Sequence, residues 1–109
     1  MTKDKALYTQ EILERLSGFE GVTSKSMFGG VGFFKEKTMF GGIMDGKFRL
    51  RADESSKHEF EELGGKRYTN ESKGKGMPYW EVPDVIYSDP KTLAKWAKRA
   101  YDVALKAKK

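Results

Sequence analysis

Short apolar runs broken by glycines fill the segment from Val22 to Arg51, and this pattern limits that part of the chain to β-structure. The runs are rich in Val, Phe and Met, and they predict four strands, at residues 23–28, 31–35, 38–44 and 47–51. Between the last two strands, Asp45-Gly46 is the strongest turn signal in the chain, because a two-residue type I′ hairpin needs positive φ at both turn positions. The sequence therefore predicts a hairpin centred on this dipeptide.

That turn also sets the predicted register of the hairpin. Ile43 then faces Phe48 and Gly41 faces Leu50, so one face of the hairpin belongs to the core. The other face carries three cations beside three residues of the preceding strand: Lys47, Arg49 and Arg51 with Phe40, Gly42 and Met44. Alternatively, Phe40 and Met44 lie under a helix, and then this face is not exposed.

One helix is predicted before these strands and a shorter one after them. Apolar residues at spacings of three and four predict an amphipathic helix from Asp4 to Leu16. A shorter helix begins at the capping residue Asp53 and ends near Leu63 before a pair of glycines. In this shorter helix, Phe60 and Leu63 are expected to turn inward toward the core.

Two short strands and a longer helix complete the chain. The strands are expected at residues 67–69 and 77–82, and a polar loop at 70–76 separates them. Pro78 marks the second strand as an edge strand or as the site of a bulge. Asp89-Pro90 starts the last helix, with a capping side chain before a proline at the first helical position. The predicted buried stripe of that helix is Leu93, Trp96, Ala97, Ala100 and Ala104.

These elements predict a single α+β domain over residues 1–109, with no second domain. Its helices pack on a largely antiparallel sheet in the order α-β-β-β-β-α-β-β-α. The longest stretch without polar side chains, residues 27–34, is far shorter than the ~20 residues that a membrane span requires. Since the N-terminus has no apolar segment behind its charges, no secretory signal is predicted. We therefore expect a cytoplasmic protein with no membrane partner.

The composition leaves little material for catalysis or metal binding. The 109 residues contain no cysteine and one histidine, His58, which excludes disulfides and zinc sites built from cysteine or several histidines. His58 lies on a charged helix, where a solvated histidine is expected, and the adjacent Glu61 and Glu62 point about 100° apart. The glycines do not match a dinucleotide fingerprint, since Lys35 stands where the third glycine is required. No catalytic residue, metal or cofactor is therefore predicted.

The net charge of +5 is concentrated at one end of the chain. Residues 91–109 contain seven cations and one anion, a net charge of +6, and the other 90 residues sum to −1. Two sets of cations are candidates for a surface that binds a protein partner or nucleic acid. The first lies on the last helix and the second on the hairpin: Lys91, Lys95, Lys98, Arg99 and Lys106, and then Lys47, Arg49 and Arg51. The alternative is that both sets are simply solvated faces.

Three segments of the chain resemble, in order and spacing, the N-terminal domain of the TfoX/Sxy family of bacterial competence regulators. They are Met-Phe-Gly-Gly-Val-Gly-Phe at 27–33, a strand–turn–strand at 39–53, and Met-Pro-Tyr-Trp-Glu-Val-Pro at 77–83. We expect the glycines to permit positive φ, tight turns or close backbone packing, and the large apolar residues to fill the core. The residues that carry this signature are Met27, Phe28, Gly29, Gly30, Gly32, Asp45, Gly46, Tyr79 and Trp80.

The resemblance implies a regulatory rather than a catalytic role on an α+β domain with an antiparallel sheet. Members of the family are positive regulators of DNA-uptake genes that work alongside a cyclic-AMP-responsive activator, and full-length members carry a second, helical domain. The resemblance also implies a glycine-containing turn where this chain has Lys35-Glu36-Lys37. No ligand or catalytic residue is carried over from the family.

We therefore interpret the chain as a regulatory protein-interaction domain that acts on transcription through a protein partner, with a transcription factor as the candidate. The alternative is direct binding to nucleic acid through the two cationic sets described above. Pairing between exposed strand edges would give a homodimer, and the sequence leaves that alternative open.

Overall fold

The computed structural model describes residues 5–27, 30–44, 46–70 and 75–107. Four helices and six strands follow one another along this part of the chain. They are α1 (Lys5–Arg15), β1 (Val22–Met27), β2 (Gly30–Lys35), β3 (Thr38–Met44), β4 (Lys47–Arg51), α2 (Lys57–Glu62), β5 (Arg67–Asn70), β6 (Lys75–Glu81), α3 (Asp84–Tyr87) and α4 (Pro90–Ala107).

The six strands form one antiparallel sheet in the order β1-β2-β3-β4-β6-β5. Helix α4 packs across β3 and β4, while α1 and α3 pack beside it and α2 contacts β6. The predicted α+β fold is therefore confirmed, and the predicted order of elements differs only by the additional short helix α3. Among the described residues, no helix combines the length and the apolar character that crossing a membrane would demand.

The hairpin of β3 and β4 has the predicted register. Ile43 pairs with Phe48 and Gly41 pairs with Leu50, and all four are buried. Gly46 has a φ of 77°, as the predicted type I′ turn requires, while its partner Asp45 lies outside the described residues. Alternation along the strands is thus sufficient to assign the core-facing residues of this hairpin.

Phe40 does not share the outer face of the sheet with the cations of β4, as the simple alternation predicts. Phe33 pairs with Gly41 but Phe34 pairs with Met39, so Phe40 is an extra residue in β3 at a bulge. Its side chain is fully buried, and its ring lies 5.5 Å from the ring of Phe19. The buried alternative for Phe40 is therefore the one observed, and its place on the cationic face was wrong.

Close approach of neighbouring strands explains two of the glycines in β3. A Cβ atom at Gly41 would lie 2.6 Å from the carbonyl oxygen of Arg49, and one at Gly42 would collide with the carbonyl oxygen of Val31. Neither glycine has positive φ, so the requirement here is space and not backbone conformation.

The turn between β2 and β3 reaches positive φ without any glycine. Glu36 and Lys37 have φ values of 49° and 70°, which correspond to the two central positions of a type I′ turn. The glycine-containing turn that the resemblance implies is therefore absent here, although the backbone conformation is the one that favours glycine. The Tyr101 hydroxyl on α4 donates a hydrogen bond to Glu36 Oε2 at 3.1 Å and holds this turn against the helix.

Helix α2 is shorter than predicted. It begins at Lys57, because the carboxylate of Asp53 accepts hydrogen bonds from Ser55 and Ser56 and organises a preceding turn. The Ser55 hydroxyl, followed by Ser56 and the backbone, keeps the pKa of Asp53 below its usual value despite partial burial. Phe60 is buried as predicted, but Leu63 is 48% exposed, because so short a helix turns only one large side chain inward. The inward position predicted for Leu63 was wrong.

Strand β6 lies inside the sheet, between β4 and β5, so Pro78 is not on an edge strand. The pairing of β5 with β6 moves from Arg67 opposite Trp80 to Thr69 opposite Gly76, which places Pro78 in an irregular stretch. The bulge alternative for Pro78 is therefore the one observed, since a residue without an N–H group is accommodated where the ladder is interrupted.

Helix α4 begins as predicted and buries the predicted stripe, although Trp96 is only partly buried. Asp89 accepts hydrogen bonds from the Thr92 hydroxyl at 2.8 Å and from the backbone N–H of Lys91 at 3.2 Å. The Thr92 hydroxyl is the main cause that lowers the pKa of Asp89. Tyr101 and Val103 are also buried, and the predicted stripe omitted them although they follow Ala97 by four residues and Ala100 by three.

Candidate functional site

Four lysines on α4 are exposed along the side of the helix that faces away from the sheet. We call them the α4 basic face: Lys91, Lys95, Lys98 and Lys106. At a rise of 1.5 Å per residue, this face extends over about 23 Å. Lys98 forms an ion pair with Asp102 at 3.3 Å, and the other three make no ion pair with any residue that the structure describes.

Arg99 belongs to the predicted set on this helix but has a different position. Its guanidinium lies 4.8 Å from the ring centroid of Trp96, and it forms an ion pair with Glu59 of α2. The Trp96 ring in turn packs edge-on against Phe60 at 4.7 Å. Arg99 therefore fastens α2 to α4, and this places acidic residues of α2 beside the α4 basic face.

The three cations predicted on the outer face of the sheet do not form an open basic surface. Arg49 is only 5% exposed, its Nε donates to the carbonyl of Met44 at 3.3 Å, and its Nη1 donates to the carbonyl of Lys66 at 3.2 Å. The ring of Tyr68 covers its guanidinium at 4.9 Å. These contacts identify Arg49 as a structural residue.

Glu81 compensates the charge at this end of the sheet. Its carboxylate lies 3.2 Å from Lys47 Nζ and 4.0 Å from Arg49 Nη1. Neutralisation of two cations by one carboxylate leaves a small residual charge, so this part of the face is a weak candidate for binding a polyanion.

Arg51 lies at the other end of β4 and is partly exposed. Its guanidinium lies 5.8 Å from the ring centroid of Tyr79, and among the described residues no carboxylate is within ion-pair distance. Lys37, from the turn between β2 and β3, lines the same recess. Sequence reasoning missed Lys37, because nothing in the local pattern indicates that this turn and the end of β4 lie together.

The signature residues of the described part of the chain lie in strands of the sheet or in the turn between β3 and β4. Trp80 is buried, and its Nε1–H donates to Glu61 Oε2 at 3.1 Å. Tyr79 is buried beside it on the opposite face of β6, and Gly32 is buried in β2. Gly30 is partly buried where β2 begins, and Met27 ends β1. The positions of Phe28 and Gly29 lie outside the described residues.

Comparison with known proteins agrees with this architecture. The family model described as the TfoX N-terminal domain matches residues 14–104. Because this match includes most of the chain, the chain belongs to the TfoX N-terminal domain family. The family resemblance carried by the three sequence segments is thereby confirmed.

One curated relative is longer than the region in which it matches this chain. The chain is similar to DNA transformation protein TfoX1 of Aliivibrio fischeri (strain ATCC 700601 / ES114), with 35% identity over 71 residues. The aligned region covers 63% of this chain and 34% of that protein. The chain thus spans about a third of the length of the relative.

Proposed function

We propose that this chain is a regulatory protein-interaction domain that contributes to the control of competence genes through a protein partner. Family membership supports a regulatory rather than an enzymatic role, and the name of the relative, a DNA transformation protein, supports the connection with competence. The exposed α4 basic face carries the proposal, because three of its four lysines, Lys91, Lys95 and Lys106, form no ion pair with any residue that the structure describes. Its partner would carry an acidic surface, and a transcription factor is the candidate.

The surroundings of the α4 basic face favour an acidic protein surface over nucleic acid. Glu59 of α2 lies next to Arg99, which follows Lys95 by one turn of α4. Two further acidic residues of α2, Glu61 and Glu62, are exposed. Continuous phosphate charge would be repelled by these carboxylates, since a duplex carries one charge per ~1.7 Å. A protein surface is able to place its acidic groups opposite the lysines alone and to keep its own cations near α2.

Half of the predicted cationic residues are also committed within the fold. Carboxylates of the described residues pair with four of the eight: Lys98, Arg99, Lys47 and Arg49. Since only the other four cations form no ion pair with the described residues, the charge that supports the nucleic-acid alternative is smaller than the sequence alone indicates.

The test is a comparison of two variants that have the same net charge. In the first, all four lysines of the α4 basic face are changed to glutamine. In the matched control, four lysines outside both candidate sets are changed instead: Lys5, Lys25, Lys57 and Lys66. Proteins retained by the wild-type chain from nuclease-treated host lysate are identified, purified and titrated with all three chains at two salt concentrations.

We expect the purified partner to bind the wild-type chain and the control, and to lose at least about tenfold in affinity for the α4 variant. Transcript levels of the partner's target genes should change in a strain that expresses the α4 variant. The proposal fails if the partner binds all three chains equally. It also fails if the chain instead binds DNA directly with a steep salt dependence that the α4 variant abolishes, which is the nucleic-acid alternative.

A further inference from the structure

A recess of about 260 Å³ lies where the turn between β2 and β3, the ends of β4 and β6, and the last turns of α4 meet. Two of the residues that line it are cationic, Lys37 and Arg51, and its aromatic and aliphatic lining includes Phe34, Met39, Tyr79 and Ala104. The recess is therefore charged on one side and apolar on the other. It is separate from the α4 basic face, which points away from the sheet.

Both cations of the recess are without a charged partner in the part of the chain that the structure describes. The other two cations of β4 share the carboxylate of Glu81, whereas Arg51 only stacks against Tyr79 and Lys37 has no ion pair there. A planar guanidinium suits the two oxygens of a carboxylate or phosphate, and Lys37 adds a second positive charge. The C-terminus of α4 contributes about half a negative charge, which leaves the recess positive.

The backbone at Lys37 is held in a conformation that is costly for a lysine. Its φ of 70° lies in the left-handed region, and the preceding Glu36 is also there and accepts the hydrogen bond of Tyr101. The left-handed region is unfavourable for a residue that has a Cβ atom, so lysine destabilises the fold at this position relative to glycine. In this conformation Lys37 lines the recess together with Arg51.

We propose that this recess binds a small organic oxyanion, that is, a carboxylate or a phosphate monoester with an apolar body. Its volume corresponds to roughly nine water molecules, which limits the ligand to about ten non-hydrogen atoms. Arg51 and Lys37 hold the oxyanion, while the rings of Phe34 and Tyr79 and the Met39 side chain enclose the apolar body. This site is independent of the protein partner proposed above.

The test is a titration of the isotope-labelled full chain, followed by the amide resonances of Lys37, Arg51 and Tyr79 in NMR spectra. Benzoate and phenyl phosphate are the probes, and benzamide is the uncharged analogue of similar shape. We expect saturable shifts with a Kd of about 1 mM for at least one of the two anions, and at least about tenfold weaker binding of benzamide.

Two variants and one control complete the experiment. Arg51→Gln should weaken anion binding about tenfold, and Lys37→Gly should weaken it about threefold while raising the midpoint of thermal unfolding. Lys91→Gln removes one charge from the α4 basic face and should leave the affinity unchanged. The proposal is overturned if no resonance of the recess saturates below about 20 mM anion. It is equally overturned if benzamide matches benzoate, or if Lys91→Gln weakens binding as much as Arg51→Gln does.

Discussion

The α4 basic face and the outer face of β4 carry the same kinds of residue but use them differently. On α4, three of four lysines point into solvent without an ion pair in the described structure. On β4, Arg49 is buried beneath Tyr68 and bonded to two backbone carbonyls. Regularly spaced cations are therefore exposed to solvent on α4, whereas on β4 the regularly spaced Arg49 is buried and holds neighbouring backbone in place.

Geometry explains this difference. Side chains on the outer side of a helix radiate apart, and their only close neighbours lie three or four residues away on the same helix. Side chains on one face of a sheet have cross-strand neighbours at ~5 Å on both sides, which supply Arg49 with Glu81 directly opposite. A cation on an internal strand is consequently drawn into contacts that an exposed helix does not provide.

The largest effect is expected from Arg49→Ala. The variant removes a buried guanidinium together with its two hydrogen bonds to backbone carbonyls and its stacking on Tyr68, which should lower the free energy of unfolding by about 3 kcal/mol. Urea denaturation followed by circular dichroism measures this change. The matched variant Lys95→Ala on α4 should change stability by less than about 0.5 kcal/mol. Equal effects of the two variants would show that the two faces do not differ as described.

Gly42→Ala tests how closely β3 approaches the neighbouring strand β2. Gly42 pairs with Arg49, and an added Cβ would collide with the carbonyl of Val31, so we expect a loss of about 2 kcal/mol in the same assay. Gly18→Ala is the control, since the nearest atom to its Cβ is 3.4 Å away and its φ is ordinary. That variant should be neutral or slightly stabilising. A neutral Gly42→Ala would mean that this face tolerates additional side chains.

Arg99→Ala should have an intermediate effect, because this residue combines features of both faces. Its stacking on Trp96 and its partly exposed ion pair with Glu59 together correspond to about 1 kcal/mol. A double-mutant cycle of Arg99→Ala and Glu59→Ala, followed by urea denaturation, measures the coupling energy between Arg99 and Glu59. If the coupling were absent and partner binding fell instead, Arg99 would belong to the α4 basic face.

The smallest effect is expected at the start of α4, where Asp89 caps the helix. Its folded pKa lies below the usual 3.8, so its contribution to stability is present above pH 3.8 and is lost as the pH falls through the folded pKa. Thr92→Val removes the main hydrogen bond and should move the pKa of Asp89 back toward 3.8. Titration of the side-chain carboxyl carbon by NMR measures the shift. An unchanged pKa in this variant would assign the effect to the backbone N–H groups of residues 92 and 91 or to the charge of the Lys91 side chain.

Much of the fold follows from the sequence through local rules. The turn at Gly46 and the two-residue period of the strands were enough to predict the pairing of Ile43 with Phe48. The start of α4 and most of its buried stripe followed from Asp89, Pro90 and the spacing of apolar residues. These features depend on residues that are close along the chain, so a single sequence contains the information that specifies them.

Long-range packing decided what those local patterns could not. A bulge turned Phe40 into the core, and strand β6 brought Glu81 against Arg49, which changed a predicted surface cation into a buried one. The recess likewise depends on three distant segments, since Lys37, Arg51 and Ala104 meet only after the sheet and α4 are assembled. The sequence by itself determined the family, every element except the short helix α3, and the hairpin register, because those depend on ordered motifs and short-range geometry. Tertiary structure alone decided which cations remain exposed and without an ion pair in the described structure, because burial and charge compensation arise from contacts between segments that are far apart along the chain.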